Sequence, residues 1–234
     1  MRFITVSTRP MDDDTDLGRC RQPRMLRESA VRYNIPLENI GIGGVHDRCG
    51  RGRRKLVTKY LADVPGDEPV LLTDAWDSFI AGTAAEIEYA FSCFQSPIVF
   101  STEINRTHPS AYPKAPTRFA YVNGGGFVGR ASALLQMLTA DDFWPSFCNC
   151  DQWAYGDWFI KHQDCVSLDY HCRLFQTLHW NSHSNRLPRI TEIVQIKDGK
   201  LYNSETNTWP LICHGNGRFA EPAMLLWESM KCDL

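Results

Sequence analysis

Short apolar runs alternate with amphipathic stretches along nearly the whole chain of 234 residues, and no other feature constrains the fold as much. Phe3 to Ser7, FITVS, is rich in β-branched and aromatic residues and reads as a buried first strand. Pro23 to Tyr33 has helical spacing, with Met25, Leu26, Ala30 and Tyr33 on one side. A second strand is expected at Ile40 to Ile42, followed by a basic glycine loop from Gly43 to Gly52 and a helix from Leu56 to Ala62. "VPGDEP" breaks that helix. Val70 to Thr73 and Pro97 to Ser101 read as strands on either side of an amphipathic helix, Thr83 to Phe94. "YVNGGGFVGRASALLQML" reads as strand, glycine turn, short strand and helix to Leu138. Asp151 to Ile160 is helical, "CVSLDY" is a late strand, and "CRLFQTLH" continues the sheet edge. The polar stretch from Asn181 to Asn207 is expected to be a mobile excursion or a small subdomain. Such alternation predicts an α/β fold, a mainly parallel sheet with helices on both faces, built as a single domain over residues 1–234.

The composition is that of a soluble globular protein, 43% hydrophobic and 22% charged. A formal net charge of −2 gives no general attraction to nucleic acid or to anionic membrane. Basic residues nevertheless cluster in "RCGRGRRK", Arg48 to Lys55. No apolar run approaches the roughly 20 residues that cross a bilayer, and MRFITVSTRP lacks the core of a secretory signal. A cytoplasmic location and nine cysteines held mainly as reduced thiols are therefore expected. The competing use of those cysteines is a zinc site at Cys148, Cys150, Cys213 and His214, although C-x-C alone is a weak signal.

The stretch VLLTDAWDSFIAG, Val70 to Gly82, carries the chemistry. An apolar strand ends at Asp74, and Asp77 follows within one tight turn. In open α/β sheets ligands bind beyond the carboxyl ends of the strands, where both acids emerge. Two carboxylates that close repel unless a cation or a shared proton lies between them. A hard divalent ion suits oxygen ligands and completes its shell with substrate phosphates. The plain alternative is a solvated turn whose aspartate caps the next helix.

The ordered segments "LLTDAWDSFIAG", "FSTE", "YVNGGGFVGRA", "CDQ", "LDYHCRLFQTL" and "LICHGNGR" resemble the glycosyltransferase domain of the multifunctional procollagen lysyl hydroxylases. The procollagen galactosyltransferases are wider relations of that domain. The resemblance covers about Phe3 to Arg218 and implies a GT-A fold, a nucleotide-binding α/β sandwich with a metal at the sheet edge. It implies Asp74, Asp77 and His214 as ligands of Mn²⁺, with Mg²⁺ as the second candidate, and a UDP-sugar as donor substrate. Trp76 matches an aromatic that packs against uracil, and Val6, Ser7 and Thr8 match the strand end that holds the nucleoside. Gly215, Gly217 and Arg218 of HGNGR are placed beside the diphosphate. A basic residue of "GRGRRK" is also directed there: Arg51, Arg53 or Lys55, with Lys55 preferred.

On the sugar side the resemblance places Asn123, Gly124 and Gly125, together with Asp151 and Gln152, and it matches Glu103 to an acid of the family. Asp151, Asn123 and Glu103 are thereby the catalytic candidates. Two departures stand out: Cys150 replaces an acid of D-D-Q, and "RTHP" replaces a C-W-P segment. The implied activity is transfer of a hexose, glucose or galactose, to a hydroxyl-bearing protein or glycan. Hydroxylysine or glycosyl-hydroxylysine of a collagen-like protein is one such acceptor. The rivals are a non-catalytic UDP-sugar or glycan-binding module and a metal-dependent nucleotidyltransferase.

Overall fold

The computed structural model describes residues 1–13, 22–44, 50–106, 108, 111–144, 150–179, 189–217 and 219–232. The chain enters through β1 (Arg2–Thr5), crosses α1 (Arg24–Arg32) and returns as β2 (Leu37–Asn39), parallel to β1. α2 (Arg51–Leu61) leads into β3 (Pro69–Thr73), parallel to β1 on its other side. β4 (Ser78–Ile80), α3 (Ala84–Ser92), β5 (Ile98–Glu103) and β6 (Tyr121–Arg130) follow. Then come α4 (Ala131–Thr139), α5 (Asp151–Lys161) and β7 (Val166–Leu168). These strands form a six-stranded sheet ordered β2-β1-β3-β6-β5-β7, with only β6 running against its neighbours. The sheet is mainly parallel, as the alternation implies.

The last part of the chain gives β8 (Phe175–Thr177), α6 (Ile190–Ile193), β9 (Val194–Lys197), β10 (Lys200–Asn203), β11 (Ile212–His214) and α7 (Ala220–Cys232). β4, β11 and β8 make a second sheet, and β9 pairs with β10 as a hairpin.

Successive strand residues point to opposite faces, and both faces of the large sheet are covered. Val70 and Leu72 enter one cluster with Val57 and Leu61 of α2, Leu134 and Met137 of α4, and Tyr155 and Phe159 of α5. Leu71 faces the other way, towards Leu26 and Ala30 of α1, Ile87 and Phe91 of α3, and Ile212 of the small sheet. Burial on both sides explains why VLL is apolar without alternation. Each of these leucines contributes about 2–3 kcal/mol by leaving water. α3 starts at a capping box in which Thr83 and Glu86 satisfy each other's backbone amides.

Four local expectations change, the first being that β8, within CRLFQTLH, joins the small sheet and does not continue the edge of the large one. The second strand lies at Leu37–Asn39, ahead of Ile40 to Ile42. The Asn39 side chain accepts from the amides of Ser7 (2.9 Å) and Gly41 (3.0 Å), which turns the chain at Ile40. α2 begins at Arg51, five residues before Leu56, because Gly50 at φ 74° serves as its N-cap and places "RGRR" in the first turns. Finally, "YVNGGGFVGR" is one continuous strand with no glycine turn. Its partner β5 steps from Phe100 opposite Phe127 to Ser101 opposite Asn123, so Gly124 to Gly126 bulge away from that neighbour. Within the polar stretch 181–207, the described part is ordered as α6 and the β9–β10 hairpin.

Candidate active site

The D-x-x-D turn carries the chain from the large sheet to the small one, from the end of β3 to the start of β4. The Thr5 hydroxyl donates to the Thr73 carbonyl at 2.8 Å, and the Ser78 hydroxyl donates to the Asp74 carbonyl, closing the turn. β11 pairs with β4 so that His214 lies opposite Ser78, which brings the imidazole to both acids. His214 Nε2 is 3.4 Å from Asp74 Oδ2 and 3.2 Å from Asp77 Oδ1. One ligand atom from each of Asp74, Asp77 and His214 lies within 4.8 Å of the others, the one such cluster among the described residues.

The imidazole is held for that position. Asn123 Oδ1 accepts from His214 Nδ1 at 3.0 Å, which leaves Nε2 to face the carboxylates. The same oxygen accepts from the Gly125 amide at 3.0 Å, and the Asp74 amide donates to the Gly125 carbonyl at 2.8 Å. A Cβ on Gly125 would stand 2.0 Å from His214 Cε1, so only glycine lets β6 press against the ring. Burial alone would push the imidazole down. The charge of Asp77 and hydrogen bonds to both aspartates outweigh burial and hold His214 up at about 10. The three groups thus form a cluster built to share positive charge. Two oxygen donors and one imidazole nitrogen suit a divalent ion such as Mn²⁺ or Mg²⁺. The bond from His214 Nδ1 to Asn123 fixes the ring orientation that a metal-binding histidine requires.

Around this cluster lie further groups from the sequence reading. Arg53 Nη2 is 3.0 Å from Asp74 Oδ1, and its Nη1 is 3.7 Å from Asp151 Oδ2. Lys55, the preferred basic residue, is exposed instead, and Arg51 lies over the Trp144 ring with 4.9 Å to its centroid. Of the three basic candidates, Arg53 is the one placed against the acid cluster. Asp151 opens α5; burial pushes its carboxyl up, with the nearby Arg53 charge opposing. Gln152 accepts from the Gly124 amide at 3.3 Å and donates to Glu103. Glu103 is 2% exposed and also accepts from Asn216 Nδ2 at 3.2 Å, with His179 Nδ1 at 3.5 Å. Glu103 thereby ties β5, α5 and the HGNG loop together.

Trp76 is half-buried and belongs to none of the three apolar clusters, with the Arg9 guanidinium 6.0 Å above its ring. β1 ends at Thr5, one residue before Val6. Val6 and Thr8 are half-buried, and buried Ser7 donates its hydroxyl to the Arg9 carbonyl at 2.8 Å. Gly215 does not present its amide to a ligand, since that amide donates to the Asp77 carbonyl at 2.6 Å. A Cβ there would meet the Phe219 carbonyl at 2.4 Å, so this glycine serves the packing of α7. Gly217 is exposed at φ 70°, and Arg218 lies outside the described residues.

Asp169 is structural. Burial pushes its carboxyl up, and the backbone amides of Arg173, Leu174 and Phe175 donate to it at 2.7–2.9 Å. The zinc alternative fails on strand geometry. Cys213 and His214 are adjacent on β11 and point to opposite faces; Cys213 is buried among Phe79, Ala223 and Trp227. Cys150 is exposed before α5, and Cys148 lies outside the described residues. No described helix is long and apolar enough to cross a membrane.

Procollagen-lysine,2-oxoglutarate 5-dioxygenase 1 of Rattus norvegicus is 27% identical over 212 residues, covering 83% of this chain and 28% of that protein. The multifunctional procollagen lysine hydroxylase and glycosyltransferase LH3 of Homo sapiens is 26% identical over 214 residues, again 83% and 28%. This chain thus spans less than a third of the length of these relatives. Among solved structures, mouse xyloside xylosyltransferase 1 in its apo form aligns with a TM-score of 0.45 and 14% identity. That alignment covers 72% of this chain and 64% of the xylosyltransferase, a likeness too low to carry an argument. A family model described as the PLOD GT domain matches residues 4–222, which is nearly the whole chain, and the protein belongs to that glycosyltransferase-domain family.

Proposed function

We propose that the protein is a metal-dependent glycosyltransferase of GT-A type that moves a hexose from a UDP-sugar to a hydroxyl of a protein or glycan. The observation that carries this reading is the convergence of Asp74, Asp77 and His214 within 4.8 Å where β3 and β11 end. Asp74, Asp77 and His214 would hold the divalent ion, Mn²⁺ before Mg²⁺. Such an ion neutralises charge on the departing diphosphate. Asn123 holds the Nδ1 proton, so that Nε2 is the nitrogen that would give up its proton and offer a lone pair to the ion. Arg53, buried between two acids, supplies a permanent positive charge on the side where phosphate oxygens would lie. Half-buried Trp76 would stack on the base, and Val6 to Thr8, which follow β1, lead to Arg9, whose guanidinium lies 6.0 Å from the ring centroid.

Asp151 is the acid on the sugar side. A carboxyl pushed up by burial can take a proton from an acceptor hydroxyl or face a positive anomeric centre. Glu103 works through Gln152 and Asn216 and positions the sugar side rather than reacting. The relatives are named for procollagen lysine, and one of them also as a glycosyltransferase, which supports a collagen-like acceptor; hydroxylysine or glycosyl-hydroxylysine is the acceptor we assign.

The direct test is calorimetry of UDP binding with Mn²⁺ and with excess chelator. Binding only in the presence of metal, lost in Asp74→Ala and Asp77→Ala variants that still fold, is the expected result. Equal affinity in chelator would remove the metal from the account.

A further inference from the structure

The contacts of Arg53 go beyond those of a phosphate-binding side chain. Gly50 sets α2 directly over Asp151: its φ is 74°, and a Cβ there would stand 2.4 Å from Asp151 Oδ2. The first turn of the helix then delivers Arg53, 17% exposed, between Asp74 and Asp151. The two oxygens of Asp74 are divided, Oδ1 facing Arg53 at 3.0 Å and Oδ2 facing His214 at 3.4 Å. Arg53 Nη2 is buried and has no hydrogen-bond partner, so its approach to Asp74 is a charge contact that leaves this donor unused. Phosphate oxygens in bidentate array are what such donors match.

We propose that Arg53 is a resident counter-cation, which neutralises Asp74 and Asp151 in the ligand-free protein and passes its guanidinium to the diphosphate as the metal site fills. This rests on the metal reading given above. Arginine cannot shed its charge as lysine or histidine can, so it opposes any divalent ion that reaches Asp74 while it stays in place. A bound diphosphate gives the guanidinium a second anionic partner and frees the carboxylate. Ion and nucleotide therefore help each other to bind, and by linkage the help is reciprocal. Free metal without nucleotide is held weakly, which keeps the acids from being occupied when no donor is present.

A purely structural Arg53, pinning α2 to the sheet edge, makes the opposite forecast, because removing it would loosen the acids and weaken every ligand. Mn²⁺ binding to the full chain is read from the electron paramagnetic resonance of the free ion, with and without UDP. Arg53→Gln, which has no charge, is expected to bind Mn²⁺ alone about tenfold more tightly than the unaltered protein, the usual effect of one neighbouring charge. UDP should raise its Mn²⁺ affinity less than it does in the unaltered protein. Arg53→Lys keeps the charge and should resemble the unaltered protein with Mn²⁺ alone. If Arg53→Gln does not fold, Arg53→Met keeps the apolar stem and serves the same comparison. Unchanged or weaker binding of Mn²⁺ alone by the neutral variant, or an equal gain in the lysine variant, overturns the proposal. Absence of Mn²⁺ uptake by all variants even with UDP overturns the metal reading and this proposal with it.

Discussion

Gly125→Ala adds one methyl group at the centre of the site. The new Cβ would lie 2.0 Å from His214 Cε1, 2.5 Å from Nδ1 and 2.9 Å from Asp74 Oδ2. Ordinary contact begins at 3.4 Å, so ring and strand must separate by about 1.4 Å. Metal coordination tolerates about 0.2 Å, several times less than this displacement. The ring cannot retreat freely, since it is 6% exposed and tied to Asn123 Oδ1. Gly125 is not among the residues with positive φ, so backbone strain plays no part. Overpacking of this kind costs about 1–3 kcal/mol, which lowers the melting temperature without unfolding the chain. Gly124→Ala is the matched control, because its Cβ would meet Gln152 and Tyr155 at 3.3 Å and needs only tenths of an ångström. The assay is Mn²⁺-dependent UDP binding by calorimetry beside a thermal melt. Gly125→Ala should lose Mn²⁺-dependent binding by at least about a hundredfold while Gly124→Ala stays near the unaltered protein. A folded Gly125→Ala that binds within threefold of the unaltered protein would show that His214 is not a ligand.

Trp76→Ala should weaken UDP binding by about 1–3 kcal/mol and leave inorganic pyrophosphate unchanged, as expected for base stacking; equal losses would mean a disordered site. Asp151→Asn should keep UDP affinity and lose transfer by about 10²–10⁴-fold. Its N-cap neighbour Cys150 makes no side-chain cap bond, so near-normal transfer would reduce Asp151 to a partner of Arg53. Far from the site, burial pushes the Glu28 carboxyl up, but hydrogen bonds from Arg24, Trp227 and Lys231 outweigh it and hold it at about 2. A depressed carboxyl stabilises above its unfolded value of 4.5 and loses that contribution as pH falls towards about 2. Discounted for 30% exposure, the contribution is about 2 kcal/mol. Melts of Glu28→Gln and the unaltered protein should differ at pH 6 and converge by pH 2; a constant gap would contradict the sign.

The long elements were legible because burial on one or both faces writes a period into the residues, as in Val70 to Thr73 and Thr83 to Phe94. β4, β8 and β11 have three residues each, too short to show a period, so the second sheet and its part in the site stayed hidden. Asp74 and Asp77 stood out locally, but His214 lies far along the chain and only the ordered resemblance joined it to them. The choice among Arg51, Arg53 and Lys55 needed the start of α2. Once the helix begins at Arg51, residues 51 and 55 share a face and Arg53 lies on the other. Gly50 and Gly52 read as loop in the sequence, because the N-cap role of a glycine at positive φ leaves no mark in composition.

The most direct test of the central claim is a screen of UDP-sugars with Mn²⁺ and a hydroxylysine-containing collagen-like peptide, reading released UDP and pyrophosphate with and without chelator. The account predicts release of UDP from one UDP-hexose, matched by glycosylated peptide and abolished by chelator. Release of pyrophosphate would make the protein a nucleotidyltransferase, and tight donor binding without any turnover would make it a binding module; either result contradicts the account.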